Sequence, residues 1–376
     1  MGIRVELPYI VGTASDDDIK WKKDWSINCI VGGMEGNDYI DFHKSEYWNE
    51  LYGFQGSDTI KGGKYWDYIE GGLGHDKLYG NGYTDTIYGG SGNDYIDGGA
   101  SNDKLYGGTG SDKIKGGSAG DYIEGGSGND KIYGNKGNDQ LYGNSGKDKI
   151  YGGSGSDYIN GGTGNDTLYG ESGRNYIYGE KGNDKIYDGK GRDDIHGGAG
   201  NDKIYLKKGK GNTVYTDAGK DTVYVNTDSN TLNLGTGKDT LIFNKTKKSN
   251  IVNFTNAADV AVFKFSKGKV KAVRSGSDII LTSGKNTVTI KNYTENGHLK
   301  VFVGKKKYAI ENLLPAKVMG NAFKSVKVAN TSELTQELTA WKTANASTDM
   351  QALIDANKTN EMPNLIAAFA EPNKTV

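Results

Sequence analysis

The chain is short of most residues that close a compact domain. Its 376 residues include 1 cysteine, 4 prolines, 5 methionines and 4 histidines. A lone cysteine, Cys29, excludes an internal disulfide framework and any cysteine zinc cluster, and reads as a small buried apolar residue. No stretch approaches the roughly 18 apolar residues of a membrane span. The opening MGIRVELPYIVGTASDDDIKWKKDW lacks a basic start followed by an apolar run, so no N-terminal secretory signal is expected. Some exported proteins carry their address at the other end. The charge balance, 46 basic against 47 acidic residues for a net −1, calls for neither nucleic acid nor anionic lipid as partner.

Catalytic signatures are also missing. His43, His75, His196 and His298 are scattered, and there is neither an H-E-x-x-H zinc motif nor a phosphate loop. GGSAG at residues 116–120 satisfies G-x-S-x-G, but it falls between a turn and a short strand with no histidine in register, an accident of composition. No enzyme is expected.

What the chain has is glycine, 58 residues of it, and a period. Stepping by nine from Asp58 gives Asp67, Asp76, Asp85, Asp94, Asp103, Asp112, Asp121, Asp130, Asp139, Asp148, Asp157, Asp166, then Asn175, Asp184, Asp193 and Asp202. Two residues after each stands Ile or Leu, from Ile60 to Ile204. No amphipathic helix has that period, and one aliphatic bracketed by Tyr, Lys or Thr reads as a three-residue strand. Such a strand persists only if the chain coils, each strand stacking on the one two units away with every Ile and Leu pointing inward between two sheets. One coil is then eighteen residues. The glycines allow tight turns at positive φ, at a cost in backbone entropy.

Coiling sets Asp94 between Asp76 and Asp112 on one edge, with Asp85, Asp103 and Asp121 on the other. Bare carboxylates about 5 Å apart repel. A hard dication between successive turns removes the repulsion, and carboxylates with turn carbonyls are the oxygen set that Ca²⁺ prefers over Zn²⁺ or Cu²⁺.

GGSGNDYID, GGTGSDKIK, GGSGNDKIY and GGTGNDTLY resemble the nonapeptide of RTX (repeats-in-toxin, hemolysin-type calcium-binding) proteins. The resemblance implies a mainly β protein: a parallel β-roll in which the turn aspartate and turn carbonyls of neighbouring coils hold multiple Ca²⁺ ions. GMEGNDYID adds a weaker copy with Asp38 and Ile40. GTASDDDIK reads as an incoming cap with Asp17 and Ile19, and residues 43 to 55 as an insertion. Val214, Val223, Leu232 and Leu241 keep the nine-residue step, but the acidic position reads Asn212, Asp221, Asn230, Asp239. The roll is expected to continue to about residue 243 with calcium on one edge only. Tyr65, Tyr83, Ser101 and Ala119 replace usual turn residues, and sites next to Asn175 should be the weakest.

Residues 257 to 314 alternate in the manner of antiparallel strands, and SGSDIILT and VTIKNY resemble the β segment after the repeats in hemolysin-type proteins. From about residue 328 the pattern is helical, with Asn330 and Glu333 as a cap and Leu334, Leu338 and Trp341 on one face. NLIAAFAEPN resembles the end of proteins exported by type I secretion machinery. The division expected is an N-terminal cap (1–31), a calcium-binding roll (32–206), its degenerate continuation (207–256), a β cap (257–315) and a helical tail with a secretion signal (316–376).

Outward Tyr133, Tyr151, Tyr169, Tyr187 and Tyr205 should stack as a ladder, as should Lys113, Lys131 and Lys149. Cross-strand packing explains them; a carbohydrate- or surface-binding face is the sharper alternative, since flat aromatic arrays beside cations suit polyols and acidic polysaccharides. The function expected is a secreted, extracellular calcium-binding module, toxin-related through its family and folded by external calcium. The alternative is a calcium-dependent adhesion module for a cell surface or polysaccharide.

Overall fold

A computed structural model describes residues 9–22, 28–243, 249–254, 260–265, 270–284, 286–291, 300–303 and 306–309. The chain winds as a parallel β-solenoid of two facing sheets. In one, Tyr95–Ala100 pairs with Lys113–Ser118, Ile96 opposite Ile114; in the other, Lys104–Thr109 pairs with Tyr122–Gly128, Leu105 opposite Ile123. The eighteen-residue coil is therefore the stacking unit, and the Ile or Leu at the repeat position of every unit from Ile60 to Ile204 is fully buried between the sheets, while Leu73, just after a glycine pair, is exposed. Alternation explains the rest of the pattern. Aspartate stands two residues before each aliphatic, so both side chains point inward, while the residues between and after them face out.

From residue 67 to 154 strands often run on through the glycine pair, as in Asp67–Leu73 and Lys149–Ser154, whereas Tyr158–Asn160, Thr167–Tyr169 and Tyr176–Tyr178 have the expected three residues. Gly92, at φ 132°, takes a turn that a side chain could not follow, because a Cβ there would strike the Gly74 carbonyl one coil away. Tyr83, Ser101 and Ala119 hold left-handed φ of 68°, 77° and 81° without being glycine.

Both ends differ from the middle. Tyr9–Val11 and Asp18–Lys20 already pair in parallel with Cys29–Glu35 and Tyr39–Asp41. Asn49–Gln55 is a regular strand with Leu51 opposite Ile69, which leaves only the residues before Asn49 as inserted chain. At the far end, positions that are glycine in the repeat become Leu206, Val225, Leu234 and Phe243, all fully buried, and Phe42 plugs the near end likewise. Ordinary apolar filling replaces the glycine-lined turn there.

Parallel stacking runs past residue 243. Ser249–Phe254 pairs with Thr231–Leu234, and Val260–Phe265 pairs in parallel with Thr236–Phe243. Antiparallel structure follows: Val270–Ser275, Asp278–Ser283 and Asn286–Ile290 form a meander whose last strand lies on Ser249–Phe254. Lys300–Val303 lies on Val260–Phe265 and turns back as Lys306–Ala309. The helical tail and its secretion motif fall outside the described residues.

Candidate metal centre

Each repeat aspartate lies within 2% of complete burial, from Asp38 to Asp239. One oxygen of each carboxylate joins neighbouring coils. The backbone N–H of Asp76 donates to Oδ1 of Asp94, and Asp94 N–H to Oδ1 of Asp112, at 2.8 Å each. Asp85, Asp103 and Asp121 form the same chain on the other edge. The two columns are thus two hydrogen-bonded ladders running along the roll.

The other oxygen has no partner. In Asp38, Asp58, Asp76, Asp85, Asp94, Asp103, Asp112, Asp121, Asp130, Asp139, Asp148, Asp157, Asp166, Asp184, Asp193, Asp202 and Asp221, Oδ2 is buried and accepts no hydrogen bond. Surroundings repeat as well. A Cβ built on Gly89 would lie 2.5 Å from Asp94 Oδ2 and 2.5 Å from the carbonyl oxygen of Gly107, one coil on. Only glycine leaves that space open, and oxygens of two coils border it. Orphaned buried carboxylate oxygens are costly, and a series of them needs a common compensating charge.

Two aspartates differ. Asp67 Oδ2 accepts from Gly63 N–H at 2.5 Å while its Oδ1 accepts from Asn49. Asp239 Oδ1 accepts from Asp221 N–H and its Oδ2 from Thr216 Oγ1. Both lie near the ends of their columns.

Burial pushes the carboxyls up. Asp85 rises to about 9, through burial first and then the charge of Asp67; Asp121, Asp184 and Asp221 rise to about 8; Asp58, Asp76 and Asp130 to about 6. Neighbouring carboxylates add to burial in most of these, and the ladder hydrogen bond opposes it. Among the described residues no three His, Cys, Asp or Glu side chains converge on one point, so the oxygens available per turn are one carboxylate and main-chain carbonyls. That set fits a hard cation and not zinc.

At Asn175 and Asn230, which stand in aspartate positions, the amide fills the gap, whereas Asn250 Nδ2 is buried without a partner. Asn175 Nδ2 donates to the Gly170 carbonyl at 3.0 Å, and Asn230 Nδ2 donates to Thr227 O and Asn250 Oδ1. Asp188 adds a feature that the nine-residue period does not announce. It stands where the unit has its first glycine, and its buried carboxylate accepts from the N–H groups of Gly189, Lys207, Lys208 and Gly209 and from Asn212 Nδ2. The signal in the sequence is its break of the Gly-Gly pair in YDGKGRDD.

The coils and their repeated glycine turn define a parallel β-roll solenoid. The family described as RTX calcium-binding nonapeptide repeat matches residues 52–82, 79–114, 115–150, 151–186, 169–204, 178–211 and 209–241. The chain belongs to that family. No curated protein sequence matches it. Among solved structures it is similar to a hyperactive, Ca²⁺-dependent, β-helical antifreeze protein from an Antarctic bacterium, at 20% identity and TM-score 0.35 over 82% of this chain and 96% of that one. It is also similar to the extracellular lipase LipA from Serratia marcescens, at 17% identity and TM-score 0.16 over 50% of this chain and 38% of that one. No helix among the described residues is long and apolar enough to cross a membrane.

Proposed function

We propose that this chain is a non-enzymatic calcium-binding β-roll, exported unfolded by type I secretion machinery and folded outside the cell by calcium. The observation that carries the reading is the series of buried, unpartnered Oδ2 atoms at successive turns. Each ion would be held by Oδ2 atoms of the Asp58 to Asp202 series and by turn carbonyls such as that of Gly107, with Asp38 and Asp221 extending the columns. Asp67 and Asp239 are the weakest of the ligands expected, because both their oxygens are already engaged.

Calcium supplies positive charge inside the turns, and everything else comes from the chain. Oδ1 holds coil to coil, glycine keeps the cavity open, and Ile and Leu exclude water from the middle. Extracellular modules commonly bind near 10⁻⁴ to 10⁻³ M, a range met outside cells and not inside. Bound ions would also turn a near-neutral chain cationic, by about two charges each. Residues 32–206 are the calcium-binding part, 207–256 its continuation with calcium on one edge, 257–315 a cap whose first strand, Val260–Phe265, still stacks in parallel on the roll, and 316–376 the tail that carries the export signal.

Circular dichroism of the purified chain during a calcium titration tests the reading. Cooperative gain of β structure at submillimolar to millimolar calcium, reversed by EGTA, is expected; full β content in excess EGTA would overturn it. A second reading, an adhesion module for polysaccharide or a cell surface, is favoured by the lysines on one outer face.

A further inference from the structure

The two outer faces of the roll differ in charge: one is basic and the other nearly neutral. On one sheet Lys113, Lys131, Lys149, Lys185 and Lys203 occupy the same register position, with Thr167 between the third and fourth. All five are exposed, and among the described residues none makes an ion pair. The other sheet has Lys104 alone in that position over the corresponding coils, where Tyr122, Gln140, Tyr158, Tyr176 and Asp194 follow it, and it adds Glu124 beside them. Like charges opposite one another on neighbouring strands destabilise a sheet. A column of five, spread over about 24 Å at about 4.8 Å per step, is paired with no carboxylate among the described residues.

Next to the lysines runs the tyrosine stack. Tyr133, Tyr151, Tyr169, Tyr187 and Tyr205 follow one another at 4.6 to 4.9 Å between centroids, tilted by no more than 9°. From Tyr151 to Tyr205 each ring has a ring on both sides, Tyr224 beyond Tyr205, and Tyr133 has Tyr151 on one side and Lys115 in register on the other, so the face presents ring edges and phenol hydroxyls instead of open ring faces. Single-stranded nucleic acid needs open aromatic faces for its bases, and this ladder has none to offer. Paired rows of ammonium and hydroxyl groups, repeating at about the length of one sugar ring, match a polymer with regularly spaced carboxylates and hydroxyls.

We propose that this lysine and tyrosine face binds a linear acidic polysaccharide whose sugar rings bear carboxylates, laid along the axis of the roll. The proposal rests on the calcium reading only in needing a folded roll. Lysine ammoniums pair with the carboxylates, and the hydroxyl row meets the sugar hydroxyls. Register selects a linear chain over a compact anion, because only an extended polymer engages several coils at once.

The test uses the full chain in calcium, with folding first verified by circular dichroism, so that a failure to fold is read separately from a failure to bind. Isothermal titration would measure short oligouronates, too short to gel with calcium, against neutral oligoglucosides and single-stranded DNA of equal charge. Binding of the oligouronate, strengthening with its length, is expected. The triple variant Lys131→Gln, Lys149→Gln, Lys185→Gln should lose about tenfold in affinity while melting no lower than the parent, and Lys104→Gln on the opposite sheet should change nothing. Oligouronate binding that is absent, that survives the triple variant, that is lost equally with Lys104→Gln or that is matched by DNA would overturn the proposal.

Discussion

Asn175 Nδ2 donates to the carbonyl of Gly170 at 3.0 Å, so an amide hydrogen occupies the place that Oδ2 of an aspartate leaves without a partner in other coils. Its Oδ1 meanwhile accepts from Asp157 N–H at 3.0 Å, as an aspartate's would. One side chain thus replaces both a carboxylate and the charge that must accompany it.

That relationship predicts how a central column position responds to substitution. Asp103→Asn should keep the hydrogen bond from Asp85 N–H, fold normally, and reduce the calcium bound per chain. Asp103→Ala orphans the same N–H and should cost about 1 to 3 kcal/mol more. Equilibrium dialysis for stoichiometry and calcium midpoints by circular dichroism would check both; equal behaviour of the two variants contradicts the ladder.

Removing the metal should act on the whole middle of the roll and less on its C-terminal part. On one edge the Asn230 N–H and Nδ2 both donate to Asn250 Oδ1, with no carboxylate at either position, and Phe243 packs on Phe263 and Phe265 at 5.9 and 5.5 Å. Hydrogen exchange in EGTA should therefore find protection retained longest around residues 232 to 290. Uniform loss along the chain would contradict this.

Acid should partly replace calcium. The Asp85 carboxyl stands at about 9 and that of Asp58 at about 6 in the folded chain, against an ordinary 3.8. A carboxyl raised in the folded state contributes stability that is complete below the unfolded value and is lost as pH rises through the folded one. The metal-free roll is accordingly most stable at or below about pH 4 and loses stability from there up to about 9, most steeply between about 4 and 6, where Asp58 and Asp85 both contribute. At fixed calcium, protons compete for the same oxygens, so the calcium midpoint should rise as pH falls through that range. Circular dichroism in EGTA at pH 4.5 and pH 8 checks the first statement; more β structure at pH 8 would refute it.

Core and turn substitutions separate two ways of breaking the coil. Ile150 is fully buried between Ile132 and Leu168, and Ile150→Ala should cost about 2 to 5 kcal/mol, recoverable by more calcium. Gly92→Ala sets a Cβ against the Gly74 carbonyl at a φ of 132°, and no calcium concentration should restore the two coils it joins. Limited proteolysis across a calcium series distinguishes these outcomes.

Much of the fold is readable in the sequence because the period is rigid. Asp94 and Ile96 sit two apart, so one pleat fixes both inward, and eighteen residues fix what lies above and below. The two facing sheets, the stacked tyrosines and the lysine column need no more than that. The division of labour within each carboxylate is not readable, since a ladder from N–H to Oδ1 depends on how closely coils approach. Asp188 escapes because it breaks the repeat, and its burial depends on N–H groups of Lys207, Lys208 and Gly209 one coil away. The extra parallel coil at Val260–Phe265 is hidden because an alternating run states that a strand exists and not its direction.

The two closing hairpins carry a consequence for colloidal behaviour. A stack of parallel strands ends in a row of open amides and carbonyls, the template on which cross-β fibrils grow. Here the strands that lie on Ser249–Phe254 and Val260–Phe265, namely Asn286–Ile290 and Lys300–Val303, pair antiparallel with Asp278–Ser283 and Lys306–Ala309. An incoming molecule would therefore meet a mismatched terminus in place of a continuing template, and a crowded solution of rolls is kept from polymerising end to end.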